Sequence, residues 1–552
     1  MTTAKQINIA PVSTYNVVFD SGVNEAVSSI EMKPGDLLAV QNYYITEGVS
    51  SGYVSLSGYE IYDGQPAPSA QVLVAGDDTL REARRTAILD VGTALVVCEG
   101  PVLGIYVFEG VLYAFRDKLG GATAGMFKET ATGWEEVDTS ANPLAPGGVY
   151  SFITYNFKGT ATGNKMWWAN GVDKARSYDG TTVRVMDNVG MDPNDKPEFI
   201  ASHADCLWLT YPGGSAQHST IGMDHNLDNI EGTSDDWEGL NGAGYWDVGG
   251  DITAIKSTVG GTLVFFGRDF IKTLTTEGTE ADWVMKTFSD ALGAYPYTVD
   301  KLFDTLIFMS DMGITTLSSA QEFGDFGANT ISEKVKRTLF RDKALITCAV
   351  TIKRLNQYRI YFSNGTGIIF SYYNKKLKGA TFIKYPNPVY TVTEGMDTAG
   401  DLQHFFTSVS GKVYHADIGT SFDGAEIAHS FSTVYFHYGS PRNWKRFYRL
   451  TFEIESIDTI IFSIRAGYDY GGAAYPTAAE RQFTVDSQGD NWDEGLWDEM
   501  IWSGGAVVNR IFYDLMGIGS NMNISVRYAS KYASHHTFQN MIVDFQQLGR
   551  QM

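Results

Sequence analysis

From residue 92 onward the chain repeats one local grammar: an aromatic-rich apolar run, a Gly, Asn-Gly or Asp-Gly turn, and a second run. "GPVLGIYVFEGVLYAFRD", "KMWWANGVDKARSYDGTTVRVM", "DCLWLTY", "GTLVFFGRDFIKTLTT", "LFDTLIFMSDMGITTLSS", "RLNQYRIYFSNGTGIIFSYYN" and "LQHFFTSVSGKVYHADIG" are variations on it. Glycine supplies the positive φ of a tight hairpin, so each unit reads as a hairpin or most of a four-stranded meander. The aromatic-rich strands recur at a spacing that drifts around 40–55 residues. Small sheets repeated at that period bury both faces when packed side by side round a ring, so β-propeller blades are expected. There is no WD signature to fix the blade number, and a solenoid of sheets or a large sandwich carries similar local signals.

After about residue 430 the runs lengthen and alternate. In "FYRLTFEIE", Phe447, Arg449, Thr451, Glu453 and Glu455 alternate with Tyr448, Leu450, Phe452 and Ile454. That predicts an antiparallel sheet with one wet face, in a sandwich or barrel. The expected class is therefore mostly β, with a propeller-like centre, added sandwich or barrel parts and few short helices. The division read from the sequence is 1–91 as an N-terminal β segment with a docking region, 92–428 as the propeller-like domain, and 429–552 as the C-terminal sandwich. Residues 213–250, rich in Gly and Asp, are expected to be a long inserted loop. Two helices are predicted. One, "DDTLREARRTAILDV" at 77–91, carries Arg81, Arg84 and Arg85, either an exposed face with local ion pairs or a docking surface for an acidic neighbour. The other spans 329–345, with Ile331, Val335, Leu339 and Leu345 near one face.

With 552 residues the chain is too long for one core. Its 42 Lys and Arg against 64 Asp and Glu leave a net charge of −22. Such a surface does not grip nucleic-acid phosphate broadly, although repulsive walls suit a duplex that must pass without sticking. Colloidal solubility is the simpler explanation of the charge. Cys98, Cys206 and Cys348 are odd in number and far apart, so neither a disulfide framework nor a CxxC zinc site is expected. The start has no apolar signal core, and the apolar stretch 93–115 is broken by Glu99, Glu109 and glycines, so no membrane span is expected. The chain reads as soluble and made in a reducing cytoplasm.

Catalytic patterns are scarce. GxxxxGK[ST], GxSxG and HExxH are absent from the sequence. His535 and His536 adjoin, so on a strand they face opposite ways, and exposed strand-end histidines are expected. His203 and Cys206 in "HADC" lack a partner pair for a metal; a packed Cys is the simpler reading. "SYDGTTV" (177–183) resembles the Asp-box turn of sialidase-like propellers but lacks the residue between Asp and Gly, so Asp179-Gly180 reads as a hairpin turn. "DNIEGTSDDWEG" gathers hard oxygens for calcium without EF-hand spacing. Trp167, Trp168, Trp237 and Trp246, if exposed, could stack on sugars. No cofactor and no enzymatic activity are expected.

"DNWDEGLWDEMIW" places Trp492, Trp497 and Trp502 five residues apart. On a helix that step turns roughly 140°, so the rings share no stripe. On a strand Trp497 points away from the other two, which suits a segment covered on both sides.

Several stretches resemble the tail nozzle, or packaged-DNA stabilisation, proteins of short-tailed bacteriophages. They are "GYEIYDGQPAPS" with the Arg-rich 81–85, "GPVLGIYVFEGVLYAFRD", "MFKETATGWEEV", and "DALGAYPYTVDKLFDTLIFMSDMGITTLSS"; "WDEGLWDEMIW" is similar to spaced W-D repeats near the end of phage tail proteins. The resemblance runs over roughly 50–545 and rests on structural rather than chemical motifs. It implies a virion protein, assembled in the host bacterial cytoplasm. It also implies a ring, expected to be a homohexamer, at the distal tail below adaptor and portal proteins, with tail fibres attached nearby. Packaged double-stranded DNA would be retained and released through the lumen without tight binding. In such a ring Trp492, Trp497 and Trp502 would fill a subunit interface, unless they fill a sandwich corner within one subunit, and Arg81, Arg84 and Arg85 would dock the adaptor. Constriction loops are expected at 213–250 and 471–490. The alternative is a carbohydrate-binding or glycan-cleaving propeller for receptor recognition; a generic propeller scaffold is a third reading.

Overall fold

In a computed structural model, the described residues are 12–19, 21–28, 31–47, 54–58, 90–91, 96–130, 133–157, 159, 163–186, 196–223, 237–258, 261–303, 305–317, 331–409, 411–417, 422, 425–456, 460–471, 480–485, 507–530 and 536–550. Arg81, Arg84, Arg85, Trp492, Trp497 and Trp502 lie outside them, as does His535.

Apolar runs without alternation dominate 96–416, and the packing explains why. In the sheet of strands Ile252–Ser257, Thr262–Gly267, Ile271–Thr275 and Val284–Ser289 (blade 4), Thr262–Gly267 sends Leu263 and Phe265 into the core shared with the preceding sheet, which opens at Phe199–His203 (blade 3), and Val264 and Phe266 into the core shared with the following one, which opens at Asp300–Leu302 (blade 5). In blade 3, Leu207 and Leu209 face the sheet that opens at Ser151–Tyr155 (blade 2) while Cys206 and Trp208 face blade 4. A strand buried on both faces has no wet side and so no period-two signal.

Seven such sheets follow one another among the described residues. Blade 1 runs from Asp90–Val91 through Val96–Phe108, Val111–Lys118 and Ala124–Thr130 to Gly133–Glu136. Blades 2, 3 and 4 are four-stranded meanders opening at Ser151–Tyr155, Phe199–His203 and Ile252–Ser257. Blade 5 opens at Asp300–Leu302 and has three strands, blade 6 opens at Ile346–Ile352, and blade 7, also three-stranded, opens at Val389–Met396. In blades 2 to 7 the opening strand lies innermost, and in blade 1 the second strand, Val96–Phe108, does. The ring closes where blade 7 meets blade 1: Phe405 and Val413 pack with Val102, Ile105 and Leu112. At this seam a Cβ on Gly395 would come within 2.3 Å of the Val107 side chain, so only glycine lets the two inner strands approach. The propeller expected from the repeats is present, and the pairing supplies the blade count that the drifting period hid.

The segment 213–250 is not one long loop. Ser215–His218 pairs with Cys206–Tyr211 and with Gly244–Asp247, which completes blade 3. This outer pair is short and carries few large apolar residues, so its composition imitates a loop.

Blade 6 goes further than its neighbours. Its outer strand, Lys376–Lys384, continues into a ten-stranded sheet through Gly22–Val23, Asp36–Gln41, Ile427–Thr433, Met522–Ser530, Ile460–Tyr468 and Arg481–Val485. A second sheet is built from Val507–Gly519, Asn443–Ser456, His536–Arg550, Val54–Gly58 and Tyr43–Glu47, with Val12–Val17 also paired to His536–Arg550. Between the two sheets Phe538 sits 5.0 Å from Phe431, 5.6 Å from Phe452 and 5.1 Å from Phe462. The division into a separate 1–91 segment and a 429–552 sandwich or barrel is thereby corrected: strands from both chain ends are hydrogen-bonded together within both sheets.

Two local expectations need adjusting in the sandwich. A register shift between Phe447 and Arg449 marks a bulge in Asn443–Ser456. The extra residue flips the phase, so Phe447 is fully buried and Tyr448 is exposed, the reverse of simple alternation; Leu450, Phe452 and Ile454 stay inside as expected. His536 is fully buried rather than exposed, with Nε2 2.9 Å from the Tyr43 hydroxyl.

The helix expected at 329–345 is present as a turn Glu333–Val335 followed by Lys336–Arg341. Val335 and Leu339 are buried and Ile331 packs on the same core, whereas Leu345 is exposed. This helix is a clamp. Thr338 donates its N–H and hydroxyl to Glu25, and Lys334 donates to the buried Asp36 at 2.9 Å.

Trp167 and Trp168 are adjacent, face opposite sides of blade 2, and are each 1% exposed. An indole between blades is a large buried area with no spare volume to collapse into. Replacing Trp168 with Ala is therefore expected to cost ~3–5 kcal/mol, read as a fall in denaturant midpoint at unchanged secondary structure.

Candidate functional site

The innermost strands of all seven blades line one central chamber of about 360 Å³. Gly104 to Tyr106, Tyr150, Phe199, Tyr297 and Tyr390 form much of its wall. Phe199 and Tyr297 lie with ring centroids 5.5 Å apart. Charge enters at the strand ends, from Lys256, Asp300, Lys353 and Glu394. Glu394 accepts the Lys353 backbone N–H at 2.7 Å, and its other oxygen is 3.5 Å from the Lys353 ammonium. Burial pushes the Glu394 carboxyl up, against the pull of Lys353. Asp300 accepts the N–H groups of Lys301 and Thr351, both at 2.8 Å. A chamber of this size accommodates a small molecule. It is no passage for a duplex, whose major groove alone is about 12 Å wide.

A second polar cluster joins blades 6 and 7. Arg359, fully buried on Gln357–Phe362, donates Nη1 to Asp417 Oδ1 at 3.1 Å and two further N–H groups to Gln357 Oε1. His404 Nδ1 stands 3.4 Å from Asp417 Oδ2. Burial alone would raise the Asp417 carboxyl; the Arg359 guanidinium and the His404 ring outweigh it and hold it far below the usual range. The cluster has an acid, a base and a cation, all buried between the blades, which suits a pin holding the two together.

Of the histidines named from sequence, His203 and His536 are structural. His203 Nδ1 lies 2.7 Å from the Ser257 hydroxyl and Nε2 2.8 Å from the Thr276 hydroxyl, and Cys206 is fully buried, as the packed reading expected. Burial lowers His203 to about 4, with Lys301 adding to the shift, and lowers His415 to about 4, with His404 beside it. Unfolded histidine titrates near 6.5, so between about 6.5 and 4 the unfolded chain holds the proton and the folded chain does not. Stability contributed by the neutral rings is therefore complete above this window and is lost as pH falls through it, at up to ~1.4 kcal/mol per pH unit for each ring. Chemical denaturation at pH 7 and pH 5 is expected to show the loss, and His415→Gln is expected to flatten the slope.

Asp179-Gly180 is a turn between Arg176–Tyr178 and Val183–Val185, with Asp179 accepting the N–H groups of Thr181 and Thr182. Most of "DNIEGTSDDWEG" lies outside the described residues, and among the described residues no group of three or more His, Cys, Asp or Glu could hold a metal. Among them, too, no helix is long and apolar enough to cross a membrane. Trp167, Trp168 and Trp237 are buried and offer no stacking surface to a sugar, whereas Trp246 is partly buried against the core of blades 3 and 4. Sequence reasoning missed the central chamber because its lining is contributed by one or a few residues from each of seven distant strands.

No family model matches the sequence, and no curated protein matches it. Among solved structures, the WD40 β-propeller domain of Doa1 is similar, with a TM-score of 0.35 and 10% identity over 58% of this chain and 93% of that one. The BBS1N chain, solved in complex with ARL6DN, gives a TM-score of 0.34 and 11% identity over 59% of this chain and 94% of that one. The blade count rests on the strand pairing, not on these likenesses.

Proposed function

We propose that the protein is a structural component of a short-tailed bacteriophage tail, one copy of a nozzle ring that retains packaged DNA and gates its ejection. The observation that carries this reading is the sheet shared by blade 6 and the sandwich. A propeller joined by a flexible linker would swing; one whose outer strand is hydrogen-bonded into the next domain moves with it as a wall element. The charge of −22 adds a second argument, because a wall lining a DNA path must not hold the polyanion. The function is mechanical: copies packed side by side, six in the reading, enclose a lumen, and loops from several copies narrow it until host contact displaces them. The lumen lies between copies, since the chamber within each propeller is too small. Adaptor and portal proteins sit above the ring, and fibres attach near that junction. Arg81, Arg84 and Arg85 at the adaptor and Trp492, Trp497 and Trp502 at the subunit interface remain the candidates for those contacts. Of the four tryptophans offered for the alternative, glycan-binding reading, three are buried and Trp246 alone keeps exposed surface.

Sedimentation of the purified chain, mixed with duplex DNA at physiological salt, tests this. The expected result is a ring of several 60.8 kDa copies that leaves the DNA free. A chain that stays monomeric at all concentrations, alone and with tail adaptor present, contradicts it.

A further inference from the structure

We propose that His218 and Glu280 form a latch, closed by one shared proton, between the outer strands of blade 3 and the turn that leads into the last strand of blade 4. His218 ends the strand Ser215–His218, opposite Gly244 of the outermost strand. Glu280 opens the turn Glu280–Asp282, just before Val284–Ser289. His218 is fully buried, and its ring lies between two indoles, with centroids 4.6 Å from Trp208 and 4.9 Å from Trp283.

The surroundings of the two ring nitrogens fix where a proton goes. Nδ1 stands 3.0 Å from the Ser219 carbonyl oxygen, which only accepts, so Nδ1 carries a hydrogen in either charge state. In the neutral ring Nε2 is then a bare lone pair. It faces Glu280 Oε1 at 3.5 Å and has no hydrogen-bond partner, and an ionised carboxylate has no proton to give. Two acceptors therefore oppose one another inside the protein. One proton added to the pair turns that contact into a charge-assisted hydrogen bond, and the imidazolium donates from both nitrogens. The indole faces on either side favour a cation over a neutral ring. Glycine makes room for the pair: a Cβ on Gly244 would overlap both Nε2 and Oε1, and no positive φ otherwise calls for glycine there.

Among the described residues Glu280 is the charged group that acts on the ring. Cys206 shares the ring's face of blade 3, but burial pushes its thiol up to about 12, so it stays neutral. Asp205 accepts the Tyr155 hydroxyl, and Asp282 accepts the N–H and hydroxyl of Thr279. Tyr245 and Asp247 alternate to the face opposite Gly244. The blade 4 strands turn Leu263, Phe265, Leu274 and Met285 to this side, all apolar. Burial lowers His218, opposed by the Ser219 carbonyl and by Glu280, so the proton is taken up below the usual histidine value near 6.5. The Glu280 side chain is 37% exposed and can leave the slot while the ring is neutral. The latch is thus open at neutral pH and shut in mild acid, within a single copy and whether or not copies form a ring.

Tryptophan fluorescence of the full chain, titrated from about pH 8 to about pH 4 over the range of constant circular dichroism, reads the latch, because an imidazolium touching an indole quenches it. A fall in emission with a midpoint below about 6.5 is expected. Glu280→Gln keeps the length and removes the charge, and is expected to move that midpoint down by about one pH unit or more, a tenfold loss of proton affinity. His218→Phe, which keeps a flat ring between the indoles, is expected to abolish the step; if this variant does not fold, the Glu280→Gln comparison decides alone. Amide exchange over 280–289, corrected for the intrinsic rate, is expected to slow about tenfold on crossing the midpoint in the parent chain and to show no such slowing in Glu280→Gln. Absence of the fluorescence step, an unchanged midpoint in Glu280→Gln, or exchange over 280–289 that quickens in acid overturns the proposal.

Discussion

Replacing Asp417 with Ala is expected to lower the stability of the propeller by ~3–5 kcal/mol, the cost of breaking a buried ion pair from one side. Arg359 is fully buried and cannot shed its proton, so removal of this carboxylate strands a guanidinium between blades 6 and 7. His404 loses its partner in the same step. Asp417→Asn is expected to cost less: the amide keeps the shape and one acceptor, and Asn tolerates the positive φ of 62° at this position. The double variant Arg359→Met, Asp417→Ala is expected to recover part of the loss, since it removes the charge along with its counterion. Denaturant unfolding followed by tryptophan fluorescence reports all three, because the buried Trp167, Trp168 and Trp208 belong to the propeller. A loss below about 1 kcal/mol for Asp417→Ala would show that the pair does not bind the blades together.

The second large effect is expected at the joint between the two halves of the molecule. Gly22 pairs in parallel with Ala380 of blade 6 and with Asp36 of the sandwich. Its φ is +68°, and a Cβ there would lie 2.4 Å from the Ala380 carbonyl oxygen. Valine at this position combines a left-handed backbone, costing roughly 1–2 kcal/mol, with a clash against backbone that only strand separation relieves. Gly22→Val is expected to cost ~3 kcal/mol or more and to raise hydrogen exchange along Lys376–Lys384 and Asp36–Gln41, while blades 2 to 4 stay protected. Gly213→Ala has the same backbone demand, φ +88°, with nothing within 4 Å, and is expected to cost only about 1 kcal/mol. Equal effects at the two positions would mean that the joint is not tight.

What the sequence disclosed follows from how local each signal is. The hairpin grammar shows the blades because a Gly turn and its two strands lie within some 20 residues, and the helix near 336 shows because Val335 and Leu339 have helical spacing. Pairing between Val12–Val17 and His536–Arg550 leaves no local mark, since its partners are more than 500 residues apart. The phase error at Phe447 came from a bulge, which adds one residue without changing composition. His536 looked exposed because a histidine pair reads as polar; only the fold reveals the ring of His429, Tyr528 and Phe462 around it.

Cryo-electron microscopy of intact short-tailed phage particles carrying this protein tests the central claim most directly. The expected density is a closed ring of copies at the distal tail, each a seven-bladed propeller continuous with its sandwich through blade 6, around a lumen faced mainly by carboxylates. A solitary copy placed away from any channel, or a lumen lined by lysine and arginine, would contradict it.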